Sequence, residues 1–393
     1  MLRFLSAIGV MLVSTAVAVG AFEVILRATG YSTPMWYEPH DALGWSLRPG
    51  ASGTFTTEGR AEVRVNSAGF RDREHPLEKP PATYRIAVLG DSYSEAMQVP
   101  LEKAYWAQLP ARLAGCGFQP GRQVAVLNFG VAGFGTAQQL VMLETVAQRY
   151  RPDLVLLQFT NGNDVRNNSF ALEEEKQRPF FTVDARGRLR ADNSFVATEA
   201  HLRRSSLPWE IFRGASDYSR VVQLLRAVRQ APLMSRASAA DAPEAGLETA
   251  VLVEPKNALW QEAWRTTEAL IARTRDGASR QGAAFLLVTV PYAVQVHPDR
   301  RVREAMQAKL GVPDLFYPDR RIAAFAAKQG IAVLTLAPEM LELAEAKGVA
   351  LHGFANAQPG FGHWNELGHA AAASLIARKL CSGLSADLPH SKS

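Results

Sequence analysis

Ile86-Ala87-Val88-Leu89-Gly90-Asp91-Ser92-Tyr93-Ser94 is the stretch that sets the architecture of this chain. Its apolar run reads as a buried strand, because a short continuous apolar segment bounded by a turn signal suits a strand covered on both faces. Gly90-Asp91-Ser92 turns the chain at the strand end, and a short polar stretch leads into a helix-like segment, Leu101 to Leu113. One hydroxyl is thereby placed at the carboxyl end of a strand, where open α/β sheets carry their chemistry. Ser92 is a candidate nucleophile on condition that a base and an oxyanion site exist elsewhere in the chain.

Similar units recur on both sides of a long interruption. Val124 to Gly135 is a second apolar run entering a glycine-rich turn, and Leu154 to Asp164 is a third, ending in Asn161-Gly162-Asn163-Asp164. Gly362-His363-Trp364-Asn365-Glu366-Leu367-Gly368-His369 opens the last helix. The pattern predicts strands at 84–90, 123–129, 153–159, 283–290 and 331–337. Helices are expected at 101–115, 136–149, 257–280, 319–329, 338–347 and 365–380. Such alternation calls for a parallel sheet covered on both faces, an α/β fold built as a three-layer α/β/α sandwich.

The four blocks, in this order, resemble those of the SGNH (GDSL-type) hydrolases over roughly residues 84 to 380. The resemblance implies a flavodoxin-like fold with a central, mostly parallel five-stranded sheet. It also implies Ser92 as nucleophile, His363 as general base, and an oxyanion hole formed by the N–H groups of Ser92 and Gly133 and the side chain of Asn163. Asp91, Asp164 and Asn365 would support them. These residue types suit the chemistry. A serine hydroxyl needs an imidazole to take its proton, and fixed neutral donors stabilise a tetrahedral oxyanion by several kcal/mol.

Two departures stand out. Asn161 replaces the glycine that usually opens the third block, a mild change because Asn tolerates left-handed backbone. Gly360 stands where the family carries Asp, three residues before the histidine, and Ala357 to Gly362 contains no carboxylate. The expectation is therefore a Ser-His dyad, with a backbone carbonyl or a distant carboxylate holding the imidazole. His369 reads as a packing residue and His352 as a loop residue. His40, His75, His201, His297 and His390 show no partner pattern. No metal-ligand spacing occurs, and Gly130 to Gly135 lacks the lysine of a phosphate loop, so neither metal nor cofactor is called for.

With 47% hydrophobic and 21% charged residues, the 393-residue chain is globular in composition. Its net charge of +5 is spread along the chain, without the basic run and interleaved aromatics that nucleic-acid binding needs. Phe4 to Phe22 is uncharged and follows Arg3, which predicts a single inner-membrane span with the rest in a bacterial periplasm. A cleaved signal peptide is the alternative, since Ala16-Val17-Ala18 and Val19-Gly20-Ala21 resemble cleavage sites. The apolar pattern running on through Val24, Ile25 and Leu26 argues for an uncleaved anchor.

Residues 1–30 then form the anchor and 31–82 a lead-in, in which Ser52–Thr57 and Ala61–Asn66 make a hairpin around Glu58-Gly59. Residues 83–385 form the catalytic domain and 386–393 a disordered tail. An insert at 165–255 leaves directly after Asn163. It carries a small hairpin near Val183–Leu189, an amphipathic helix over Ser219–Arg229 and an Ala/Ser-rich flexible stretch at 235–246. By position it is a lid, an acceptor-binding wall or a surface excursion. In the implied strand order the helices ending at Cys116 and Cys381 share one face and one end, which predicts a disulfide between them. The function expected is hydrolysis of an O-acyl ester, with a cell-envelope glycan as substrate. The alternatives are an O-acyltransferase on an exopolysaccharide and a non-catalytic envelope protein with a decayed site.

Overall fold

A computed structural model describes residues 2–238 and 249–383. The tail expected at 386–393, and most of the Ala/Ser-rich stretch, lie outside the described residues. Five strands form the central sheet: β1 (Thr83–Leu89), β2 (Gln123–Asn128), β3 (Leu154–Thr160), β4 (Ala284–Val290) and β5 (Ala332–Thr335). Their order is β2-β1-β3-β4-β5 and every pair is parallel, as expected of a flavodoxin-like sheet.

Strand side chains alternate between faces, and each set has its own helices. Ala87, Leu89, Leu127, Val155 and Leu157 pack against Met142, Trp264 and Ile322. Those residues belong to α3 (Thr136–Thr145), α6 (Ala258–Arg280) and α8 (Tyr317–Gln329). Ile86, Val88, Leu154, Leu156 and Val288 pack against Leu109, Met340 and Ile376. Those lie on α2 (Tyr105–Gly115), α9 (Ala337–Lys347) and α10 (Glu366–Gly383). With both faces covered, β1 and β3 are buried at every residue, which explains the apolar runs Ile86–Leu89 and Leu154–Leu157 within them.

Two expected helices are shorter than their sequence patterns. The 101–115 segment divides into a 3-10 turn at Leu101–Lys103 and α2, with extended backbone at Ala104 between them. The 136–149 segment ends at Thr145 and passes into a second 3-10 turn at Ala147–Tyr150. A helix missing from the sequence reading, α7 (Arg300–Leu310), is capped by the Asp299 side chain and stopped by Gly311 in a left-handed conformation. Both were legible helix signals.

The lead-in folds onto the sheet end as two antiparallel hairpins, Tyr37–His40 with Gly44–Leu47 and Ser52–Phe55 with Ala61–Arg64. The insert contributes a hairpin, Phe180–Val183 with Leu189–Asp192, and two helices, α4 (Leu207–Tyr218) and α5 (Arg220–Ser238). The anticipated amphipathic helix is the first part of α5, whereas α4 was not anticipated. A 27-residue helix, α1 (Leu2–Ala28), begins the described chain, and it is long and apolar enough to cross a membrane. Cys116, at the end of α2, and Cys381, in the last turn of α10, are joined as a disulfide with Cα atoms 6.1 Å apart.

Candidate active site

Ser92 opens a four-residue helix, Ser92–Glu95, directly after β1. Asp91 caps this helix, its Oδ1 accepting from the Tyr93 N–H at 3.0 Å. Below the turn, Gln158 Oε1 accepts from the Asp91 N–H at 3.0 Å and from Ser94 Oγ at 2.9 Å, tying β3 to the end of β1.

His363 reaches Ser92 from the loop before α10, with Nε2 2.8 Å from Oγ. Its other ring nitrogen is not left to a backbone carbonyl. Glu58, at the tip of the Ser52–Arg64 hairpin, places Oε2 2.5 Å from Nδ1 and accepts the His363 backbone N–H on Oε1 at 2.7 Å. Of the two arms of the sequence expectation, the distant carboxylate is the one found. Burial acts to raise the Glu58 carboxyl, but its hydrogen bond to the ring, the charge of His363 and the backbone N–H outweigh it. The net effect is a pKa below the usual glutamate range, so Glu58 is an anion at neutral pH.

Two glycines explain why the acid comes from so far away. Gly360 has φ +85°, and a Cβ there would lie 2.7 Å from His297 Nε2, so the position that usually carries Asp has neither the backbone nor the room for one. Gly362 has φ +82°, and its missing Cβ leaves space for Glu58, whose Oε1 lies 2.3 Å from where that atom would stand. Asn356 fastens the hairpin tip, accepting from the Gly59 N–H at 2.9 Å and donating to the Thr56 and Gly59 carbonyls at 3.1 and 2.8 Å.

The expected oxyanion donors come from three turns. The backbone N–H groups of Ser92 and Gly133 carry no hydrogen bond to another described residue. Asn163 Nδ2 donates to Asp91 Oδ2 at 3.3 Å, which orients the amide and leaves its second N–H free. Asp164 is buried, accepting from Thr136 Oγ1 at 2.8 Å and from the Thr160 N–H at 2.7 Å. Burial, together with the charge of Asp91, pushes its carboxyl well above the usual aspartate range. Asp164 therefore braces the turn after β3 against the start of α3. Asn365 caps α10 through the Leu367 and Gly368 N–H groups at 3.0 and 3.1 Å. Asn161 is buried and its backbone lies outside the left-handed region, so the tolerance invoked for it is not used.

The lead-in also walls the Gly133 turn. Trp45 Nε1 donates to the Ala132 carbonyl at 3.0 Å, with its ring edge over Gly133. Glu95, fully buried beneath, accepts from the Ala132 N–H at 2.9 Å and from the Tyr37 hydroxyl at 2.9 Å. Burial pushes the Glu95 carboxyl up to about 7, against the opposing Tyr37, Ala132, Arg71 and His363 contributions. The raised value means that the folded chain holds this proton more tightly than the unfolded one, whose value is near 4.5. The resulting stabilisation is complete below the unfolded value and is lost as pH rises through about 7. Stability should accordingly fall by about 3 kcal/mol across that window from this group alone. Glu95→Gln should flatten the decline, read as melting temperature against pH, and an unchanged slope would show that the window belongs to another group.

The remaining histidines pack or pair. His369 is buried, its Nδ1 accepting from the Tyr105 N–H at 3.3 Å, and burial first of all lowers its pKa to about 3. His352 is likewise buried, with its pKa lowered to about 3 by burial foremost. His75 and His201, which no sequence pattern paired, meet Asp72 at 3.2 Å and Asp41 at 2.9 Å. His390 lies outside the described residues. Among the described residues no cluster of His, Cys, Asp and Glu is placed to hold a metal. A groove of about 530 Å³ between α9 and α10 is lined by neither Ser92 nor His363.

A hydroxyl, an imidazole and a carboxylate hydrogen-bonded in series at the carboxyl end of a parallel sheet is the arrangement of serine hydrolases. No family model matches the chain. An arylesterase of Vibrio mimicus is 33% identical over 85 residues, a stretch that covers 22% of this chain and 40% of that protein. Among solved structures, a catalytic mutant of the acetylxylan esterase Axe2 from Geobacillus stearothermophilus covers 77% of this chain and 96% of its own, at 12% identity and a TM-score of 0.39. TesA covers 77% and 99%, at 16% identity and a TM-score of 0.36. The chain resembles SGNH-type esterases in its sequence blocks, and the arylesterase match is a likeness of the same kind.

Proposed function

We propose that this chain is a serine esterase held at the membrane by α1 and acting on the periplasmic side of a bacterial inner membrane. The Ser92–His363–Glu58 series, with contacts of 2.8 and 2.5 Å, carries the reading. Ser92 Oγ attacks the ester carbonyl as His363 Nε2 takes its proton, and Glu58 stabilises the imidazolium through Nδ1–H. The N–H groups of Ser92 and Gly133 and the amide of Asn163 receive the oxyanion. The alcohol leaves with the proton from His363, and His363 then activates a water that releases the acid and frees Ser92. An O-acyl group on a cell-envelope glycan is the proposed substrate, on the ground of location. The Glu58 contact supports this reading over a decayed site, whose main argument was an imidazole without an acid.

The test is to treat the full chain with diethyl p-nitrophenyl phosphate and map the adduct by mass spectrometry. One diethylphosphoryl group on Ser92, with parallel loss of p-nitrophenyl acetate hydrolysis, is expected. Hydrolysis that survives stoichiometric modification of Ser92, or an adduct confined to another residue, would remove Ser92 as the nucleophile.

A further inference from the structure

Outside α1, the exposed large apolar side chains of the described residues are concentrated in one place. Seven of the eleven lie between Leu202 and Val228. On α4, Leu207, Ile211 and Tyr218 follow one helical face and are 67%, 63% and 80% exposed. On α5, Leu225 and Val228 are 65% and 62% exposed. Soluble surfaces rarely gather apolar side chains this way without something to cover them.

The neighbouring helix says what covers them. The uncharged run Phe4 to Phe22 spans about 28 Å at helical rise, close to the thickness of a bilayer hydrocarbon core. Glu23, the first charge after it, marks the boundary with the headgroups. The Glu23 carboxylate accepts from the backbone N–H groups of Arg220 and Val221 at 2.9 and 3.0 Å and from Ser219 Oγ at 3.1 Å. It thereby caps α5. Arg27 reaches the Tyr218 carbonyl, and beyond the helix the Thr33 N–H donates to Gln223 Oε1 at 2.8 Å. These contacts hold the corner between α4 and α5 at the level of Glu23, with α5 continuing past the end of α1. Arg203, Arg204 and Arg229 are exposed on the same two-helix unit and its approach, and Glu210 is exposed among them, 3.9 Å from Arg213. An interfacial surface combines an apolar face with flanking basic side chains in this way.

We propose that the α4–α5 corner of the insert lies in the headgroup layer of the bilayer that α1 crosses, with Leu207, Ile211, Tyr218 and Leu225 facing lipid. The assignment rests on reading α1 as an uncleaved span. It gives the insert a purpose other than a lid: the chain meets the membrane at a second place, so the domain cannot swing freely about α1.

Spin-label accessibility of the full chain in vesicles of phosphatidylethanolamine and phosphatidylglycerol tests this. Single labels are placed through Val13→Cys, Ile211→Cys, Tyr218→Cys and, as an exposed reference on α10, Leu367→Cys, the two native cysteines being joined to each other. The quantity read is collision with dioxygen relative to a water-soluble nickel chelate. The expected result is a ratio at 211 and 218 several-fold above that at 367, with 13 the highest. A lipid value at 13 with water-like values at 211 and 218 would overturn the corner assignment and leave the anchor standing. A water-like value at 13 would remove the anchor and the assignment together. Shielding of 211 and 218 from both reagents would mean that protein, a second copy or a partner, covers this face instead of lipid.

Discussion

Replacing Glu58 with glutamine is expected to lower kcat for an ester by about a thousandfold to ten-thousandfold while KM changes little. The reason lies in counting donors and acceptors. Glu58 offers two oxygens to two donors, the His363 backbone N–H and the ring Nδ1–H. Glutamine has one oxygen and one NH2 group, so only one of these donors can be satisfied. If the NH2 group faces the ring, Nδ1 becomes an acceptor and the proton moves to Nε2. Nε2 would then meet Ser92 Oγ with a proton where a base needs a lone pair. If the NH2 group faces the backbone instead, His363 loses its hold on the hairpin tip. Rates on p-nitrophenyl acetate, with circular dichroism to confirm folding, check the prediction. A kcat within a few-fold of the parent would show that Glu58 only braces the loop.

Asn163→Ala carries the second large effect, a loss of about a hundredfold to a thousandfold in kcat, the usual cost of removing one oxyanion donor. Asn163 is held by Asp91, and Asp91 is buried at the cap of the Ser92 helix. The proposed nucleophile and the proposed third donor therefore share one carboxylate, and the Asn163 amide is set by the fold itself. Such preorganisation acts on the charge that develops in the transition state, so KM should move far less than kcat. A rise in KM alone would assign Asn163 to ground-state binding.

Ser92, Gly133, Asn163 and His363 were legible as candidates because each sits in a short local pattern, a strand end followed by a turn or a helix start. The sheet was legible for a related reason: β1 and β3 are buried on both faces, and continuous apolar runs admit few other readings. Glu58 was not legible. It meets His363 across a sequence separation of 305 residues, and no local spacing encodes such a contact. Two signs were nonetheless present. Gly360 leaves an imidazole in want of an acid, and the alternation on either side of Glu58-Gly59 reads as a hairpin. What could not be read was that this tip folds over the end of the sheet. The first hairpin was missed because Tyr37–His40 and Gly44–Leu47 are four-residue strands with little apolar alternation. Their placement depends on tertiary contacts such as that of Trp45 with Ala132.

The bond between Cys116 and Cys381 closes a ring of chain 265 residues long in sequence separation. Ser92 lies just before the ring and His363 within it. A protease acting once anywhere inside that ring would produce two polypeptides that still travel as one molecule, one bearing Ser92 and the other, for any cut before His363, that histidine. Reductant would separate them on a gel. In an oxidising compartment a nicked chain need not be a lost chain, and the insert, for all its length, can be cut without releasing half of the active site.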